Sequence, residues 1–372
     1  MTKLVCKLVS HSISFHLQQL YTGYYILYKR GLIDIKQQII KETRFNENCP
    51  QHLKDARNAH LRVELSNGLK LHYDTHDSYE IDEEYLSESD LYFKRSYLNS
   101  HLVEYGKSAE KVYPLGLYYR VYPSTIDKFA IQRNISLAHT LTTKLKIDYF
   151  INTFDKINLV GFTPTTRIME SLPILNQKPK LIFMARAYNP YSDSERSNEK
   201  VEERVNINKM RADCIDLLRR EFGPEFYGGF IHTEFAAKNY KSLLLPTKTV
   251  SNKRNYIALL RSYPIGVATT GLHGSIGGKF AEYVAFSKAI LSERLNYEVP
   301  GDLQEGKNYL AFRTPEECVQ KARLLFENAE LRNYVMVNNA VYYQNYLRPD
   351  MIVLNSILKS MSLNNELLKL VN

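Results

Sequence analysis

TTGLHGSIGGKFAEYVAFSKAILSE, residues Thr269 to Glu293, places four of the chain's 16 glycines within eight positions, 271 to 278. The residues leading into it, IGVATT (265–270), form a short apolar run that reads as a buried strand. From about Lys279 the apolar positions take helical spacing, and Ala289 to Leu291 read as another buried strand. The segment is therefore strand, glycine loop, helix and strand. Glycines let backbone amides approach an anion closely, and a helix N-terminus adds partial positive charge, so a phosphate fits there. The spacing lacks the G-K-S/T of the P-loop and the G-x-G-x-x-G of a dinucleotide fingerprint. A loop that is glycine-rich only for tight turns is the alternative reading.

Glu282 sits one turn into this otherwise apolar helix. A carboxylate there is costly unless it has partners, and sugar hydroxyls are suitable ones because a carboxylate accepts two hydrogen bonds from a diol. An acid favoured by the helix dipole is the plainer alternative.

Outward from this segment the same alternation continues. KPKLIFMARAY (178–188) reads as a buried strand running into a polar loop (189–200), and a helix follows at 201–221. EFYGGF, then NYIALLRSYPIGVATT, read as strand and helix–strand, the order expected of a parallel α/β sheet. The first half is less regular. KLVCKLVS (3–10) reads as a strand and residues 15–40 mostly as helix. Residues 61–77 hold two alternating runs around the turn signal Asn67-Gly68, and 90–97 and 111–122 read as further strands. Residues on both sides of Pro349 read as helix.

The chain has 372 residues, 44% of them hydrophobic, enough for two cored domains. Four cysteines, at 6, 49, 214 and 318, show neither zinc-ligand nor disulfide spacing and fit a reducing compartment. No run of about 18 apolar residues occurs, and the N-terminal apolar run is too short and polar for a signal peptide. The expectation is a cytoplasmic protein. A net charge of +9 favours anionic partners, including an anionic membrane surface as a peripheral contact. No RNP-type motif, RGG tract or basic helix points to nucleic acid.

The helix–strand AEYVAFSKAIL (281–291) resembles the donor-binding segment of GT-B glycosyltransferases, particularly the group-one family, usually written E-A-M-A-x-G-x-P-V-I. Residue by residue, Glu282 takes the position of the glutamate that grips the donor ribose, with Lys288 where glycine often stands and Ala289 where proline often stands. FMARAYNP (183–190) resembles that family's first C-terminal strand, with Arg186 at the arginine that meets the donor diphosphate and Ala185 replacing its glycine. Pro114 and Gly116 resemble the close of the N-terminal domain. The retaining members' earlier glutamate is absent: position 274 is Gly, and His273 is the nearest polar residue.

The resemblance implies two Rossmann-like domains with parallel sheets facing across a cleft. These are an acceptor domain over 1–170, a donor domain over 171–350, and a C-terminal helix over 351–372 that crosses back to the first domain. It implies metal-independent transfer, hexosyl or related, from a UDP-, GDP- or similar nucleotide-sugar to a glycan or lipid-linked acceptor, in surface polysaccharide or glycoconjugate synthesis, with no cofactor. Arg186, Lys253, His273, Gly274, Ser275, Lys279 and Glu282 are the expected donor-site residues. Lys94 and Arg95 are expected on the acceptor or phosphate side. Base candidates are His11 and His16, after the first strand, and Asp77 in YDTHD, where Asp74 and His76 stand beside it. A GT-B-like epimerase or phosphorylase, and a non-catalytic nucleotide-sugar or glycan-binding protein, are the rival readings.

Overall fold

A computed structural model describes residues 3–11, 13–40, 59–137, 147, 163–192, 197–247 and 253–371, with side chains to 362. Cys49 and residues 193–196 of the expected polar loop lie outside the described residues. The chain divides into two compact units. The first takes residues up to Arg167 together with Tyr297–Gly301 and the chain from Gln344 onward; the second takes Ile168–Asn296 and Asp302–Tyr343.

The first unit holds a six-stranded sheet made of β1 (Leu4–Ser10), β2 (Ile33–Ile39), β3 (His60–Leu65), β4 (Lys70–Asp74), β5 (Leu91–Lys94) and β6 (Val112–Pro114). Their spatial order is β2-β1-β3-β4-β5-β6. β1 pairs with β2, β4 with β5 and β5 with β6 in parallel, but β3 runs antiparallel to both β1 and β4. The sheet is thus mostly parallel, with β3 reversed because the tight turn at Asn67-Gly68, between the bonded Leu65 and Leu69, can join only antiparallel strands.

Residues 15–40 are helix only as far as Lys29. α1 spans Gln18–Lys29, the chain turns at Gly31, and IDIKQQI alternates outward and inward as strand β2. Among the described residues this unit also holds α2 (Glu83–Ser87) and α3 (Lys128–Ser136). Of the run 111–122, only the first residues pair as a strand.

The second unit holds a five-stranded parallel sheet made of β7 (Leu181–Ala185), β8 (Phe226–Phe230), β9 (Ile265–Ala268), β10 (Ala289–Glu293) and β11 (Leu310–Phe312). Its helices are α4 (Asn198–Phe222), α5 (Glu234–Asn239), α6 (Lys253–Ser262), α7 (Gly278–Ala285), α8 (Pro315–Glu327) and α9 (Ala329–Tyr342). The core joins Leu181, Phe183, Ile265, Val267 and Leu291 of the sheet to Ile215 and Leu218 of α4 and Leu325 of α8. Cys214 and Cys318 lie buried in this core as free thiols, as Cys6 does in the first unit. α10 (Pro349–Val371) belongs to the first unit. Among the described residues no helix is long and apolar enough to cross a membrane.

Spatial order in the second sheet is β11-β10-β9-β7-β8, so the first strand of the unit lies between the second and the third. Connections leave β7 and β9 in opposite directions, which opens a crevice beyond their carboxyl ends. Ligands of open α/β sheets bind at such a switch point.

Candidate functional site

Both segments singled out in the second half end at this crevice: Arg186 follows β7 directly, and the glycine loop follows β9. Arg211 on α4, a buried residue that the sequence reading missed, ties the two strand ends together. Its guanidinium donates to Arg186 O at 2.7 Å, Thr269 Oγ1 at 2.9 Å and Thr270 O at 2.9 Å. Asn208, one turn earlier on the same helix, holds both backbone groups of Tyr188, at 2.8 Å and 2.6 Å. Glu293, at the end of β10, accepts from the Thr270 amide at 2.7 Å and its hydroxyl at 3.1 Å. The loop is thus fixed from two elements, α4 and β10, while the Arg186 side chain extends into solvent.

Within the loop His273 has φ of 58° and Gly274 has φ of 63°, left-handed values that aim successive amides toward one side. A Cβ on Gly274 would also stand 2.7 Å from Asn296 Nδ2. Ser275 is buried and closes the turn, its carbonyl accepting from the Gly271 amide at 2.8 Å. The loop already receives one anionic group: the His273 amide donates to Glu203 Oε1 at 2.5 Å. α7 then begins at Gly278 with no side chain capping it and no acid in its first turn, so its dipole faces the loop uncompensated from within.

The second feature is a charged cluster around Glu282, which is 8% exposed. Oε1 accepts from Lys253 Nζ at 2.6 Å; Oε2 accepts from Tyr256 OH at 2.7 Å and Lys279 Nζ at 3.2 Å. Lys253 and Tyr256 come from α6, Lys279 and Glu282 from α7, so the cluster pins the two helices together. Lys279 Nζ also lies 3.4 Å from the centroid of the Tyr256 ring. Burial by itself would raise the Glu282 carboxyl, but the two ammonium groups and the bonds from Lys253 and Tyr256 outweigh it and bring it down to about 2. Burial lowers Lys279 to about 8, against the pull of Glu282. Two cations share one carboxylate, so the cluster carries a net positive charge at neutral pH. Lys253, upstream of the helix that the resemblance uses, is nonetheless brought to Glu282 across 29 residues.

The expected acceptor-side cations are turned inward. Lys94 is fully buried, 2.8 Å from Asp74 Oδ2, and Tyr92 OH donates to the same oxygen at 2.7 Å. Burial opposes the Asp74 charge, but Lys94 and its other partners hold the carboxyl well below the usual range. Arg95 is buried against Asp77 at 2.6 Å and lies 4.9 Å over the Tyr118 ring. Neither cation is presented to an anionic acceptor, because each neutralises an internal carboxylate first.

The base candidates all lie in the first unit. Asp77 is engaged by Arg95. His16 is exposed in the turn before α1, its ring 5.6 Å from that of Tyr118. His11 is half-buried just past β1, within electrostatic reach of His72. His76, next to Asp77, is kept largely neutral by burial, and its Nδ1 accepts from the Ser78 amide at 3.3 Å. A neutral ring whose Nδ1 accepts carries its proton on Nε2 and is there a donor. Among the described residues no three His, Cys, Asp or Glu side chains gather as a metal site would require.

No protein-family model matches the chain, and no curated protein matches it. Among solved structures it is similar to GT-B glycosyltransferases. One is the HepE protein of Anabaena, solved with UDP and glucose, at 11% identity and a TM-score of 0.38, with 95% of this chain and 98% of that one covered. Another is TarM of S. aureus, solved with UDP, at 10% identity and a TM-score of 0.38, covering 96% and 99%. A third is the C-terminal domain of a group 1 family protein (LpcC) of Francisella tularensis, at 12% identity and a TM-score of 0.34, which covers 48% of this chain and 95% of its own.

Proposed function

We propose that the protein is a glycosyltransferase that moves a sugar, hexosyl or related, from a nucleotide-sugar to a glycan or lipid-linked acceptor. It would act in the cytoplasm at an anionic membrane surface, in the synthesis of surface polysaccharide or glycoconjugate. The observation that carries this reading is the glycine loop at the switch point of the second sheet, whose His273 amide already donates a hydrogen bond to a carboxylate. In this reading the donor diphosphate takes that carboxylate's place, with the α7 N-terminus behind it. Arg186, Lys253 and Lys279 supply the counter-charge that the departing diphosphate needs in the transition state. Glu282 accepts a ribose hydroxyl on the remaining lone pair of Oε1, which carries one bond in the free protein.

The test begins with thermal unfolding in UDP, GDP, CMP, dTDP and ADP. A nucleotide at 100 times its dissociation constant stabilises the fold by about 2.7 kcal/mol, an easily measured shift. One nucleotide is expected to act on the wild type and less on Glu282→Ala. The nucleotide so identified names the donor, whose consumption is then followed with and without acceptor. Absence of any shift sinks the donor-site reading. Donor isomerised without acceptor points to an epimerase instead.

A further inference from the structure

A second concavity lies wholly within the first unit, between the sheet face that carries Phe93 and Tyr113 and the first turns of α10. Its volume is about 200 Å³, and its walls are Phe93, Tyr113, Leu115, Pro300, Tyr346 and Ile352. The wall is built rather than left over. Gly301 has φ of 80°, and a Cβ there would stand 2.5 Å from the Tyr346 ring, so only glycine lets that ring lie against the backbone.

The polar groups of the pocket are occupied. Ser356 Oγ donates to Val353 O at 2.8 Å and so accepts from Tyr73 OH at 2.5 Å, which in turn accepts from Tyr24 OH at 2.7 Å. Asn355 Nδ2 donates to Asn345 O at 2.8 Å. What remains for a ligand is apolar wall and one cation. Lys359 lines the pocket with its Nζ 4.6 Å from the centroid of the Tyr113 ring, and no carboxylate among the described residues pairs with it.

A dry cavity of about 150 Å³ takes up a benzene ring, so this one accommodates a hydrocarbon body of roughly eight carbons. A lysine at its edge selects for a negative end on that body. We propose that this pocket is a binding site for an amphiphilic anion, with a hydrocarbon body among the aromatic walls and a phosphate or carboxylate on Lys359. The further step, that the ligand is the non-sugar part of an acceptor, rests on the transferase reading above; the binding itself does not.

Titration calorimetry of the full chain with octyl phosphate, octanoate, octanol and inorganic phosphate tests the site. Octyl phosphate is expected to bind one per chain, with octanol about fivefold weaker, the worth of one partly exposed charge. Octanoate ranks the two head groups. Lys359→Gln, a surface change that leaves the fold intact, should reduce octyl phosphate to the level of octanol. Leu115→Phe, which fills the cavity, should abolish both.

No binding of octyl phosphate overturns the proposal, as does binding unchanged in Lys359→Gln or in a Leu115→Phe protein that unfolds at the wild-type temperature. Inorganic phosphate competing as well as octyl phosphate also overturns it, since the anion would then sit elsewhere. A chain that binds octyl phosphate but no nucleotide keeps this site and loses the transferase reading. A chain that does the reverse loses only this site.

Discussion

Glu282 and Glu203 are the two carboxylates on which the proposed donor site turns, and their removal is expected to act in opposite directions. Glu282→Gln leaves Lys253 and Lys279 with no counter-charge beside a buried phenol. Because those lysine side chains are 29% and 34% exposed, the loss falls below that of a fully buried pair, at about 2 kcal/mol by chemical denaturation. The pH dependence has a definite sign. The Glu282 carboxyl is held down at about 2 in the folded chain, against an ordinary value of 4.5, so its contribution is complete above pH 4.5 and is lost as pH falls toward 2. The difference in unfolding free energy between wild type and Glu282→Gln should therefore shrink across that interval; a difference constant from pH 6 to pH 2 would contradict the ion-pair account. Glu203 does the reverse. It occupies the His273 amide and places a negative charge where a phosphate would bind. Glu203→Ala is thus expected to tighten nucleotide binding by about three- to tenfold, the worth of one such hydrogen bond and the repulsion relieved. Unchanged or weaker affinity, measured by calorimetry, would show that phosphate does not use this amide.

At the scale of elements, the crevice of the second sheet depends on α4 as much as on the loop. Arg211 bonds the ends of β7 and β9 through a planar fork that a lysine cannot reproduce. Arg211→Lys should cost about 2–3 kcal/mol of stability, from backbone carbonyls left partly unsatisfied, and weaken nucleotide binding by loosening the two strand ends. Stability lost with affinity intact would mean that the strand ends need no tie. The same elements show what the sequence made legible. Strand, glycine loop, α7 and β10 follow each other within 29 residues, so local periodicity and turn chemistry suffice to read them. Partners distant in sequence leave no such pattern. Lys253 meets Glu282 across 29 positions, Arg211 meets Thr269 across 58, and Lys94 is drawn inward by Asp74 across 20. Lys94 looked like a surface cation because nothing in DLYFKRSY shows the carboxylate waiting on the neighbouring strand. The reversed strand β3 is legible, since Asn67-Gly68 between two alternating runs demands an antiparallel pair. By contrast β2 is absorbed into the helix before it, although its alternation I-D-I-K-Q-Q-I is that of a strand.

The whole chain is organised so that its last helix completes its first unit. α1 and α10 approach so closely that a Cβ on Gly23 would stand 2.1 Å from Pro349 O and 2.7 Å from Val353 Cγ2. Arg30 pairs with Asp350 at 2.5 Å and Gln19 Nε2 donates to Leu347 O at 3.1 Å, so residues more than 300 positions apart are fastened around that contact. Neither helix has room to yield locally, because Tyr24 and Tyr73 carry the same contact on to Ser356. Gly23→Val should therefore drive α10 off the sheet face and cost about 3 kcal/mol or more, the upper range for overpacking a filled interface. Since α10 forms one side of the apolar pocket, octyl phosphate binding should disappear with it. Nucleotide binding should not, because Arg186, Arg211, the glycine loop and the Glu282 cluster all lie in the second unit. Calorimetry of Gly23→Val with both ligands makes the comparison in one protein. Nucleotide affinity within about threefold of wild type, with octyl phosphate binding abolished, assigns the two sites to separate units; loss of both would mean that the donor site cannot form without the C-terminal helix in place.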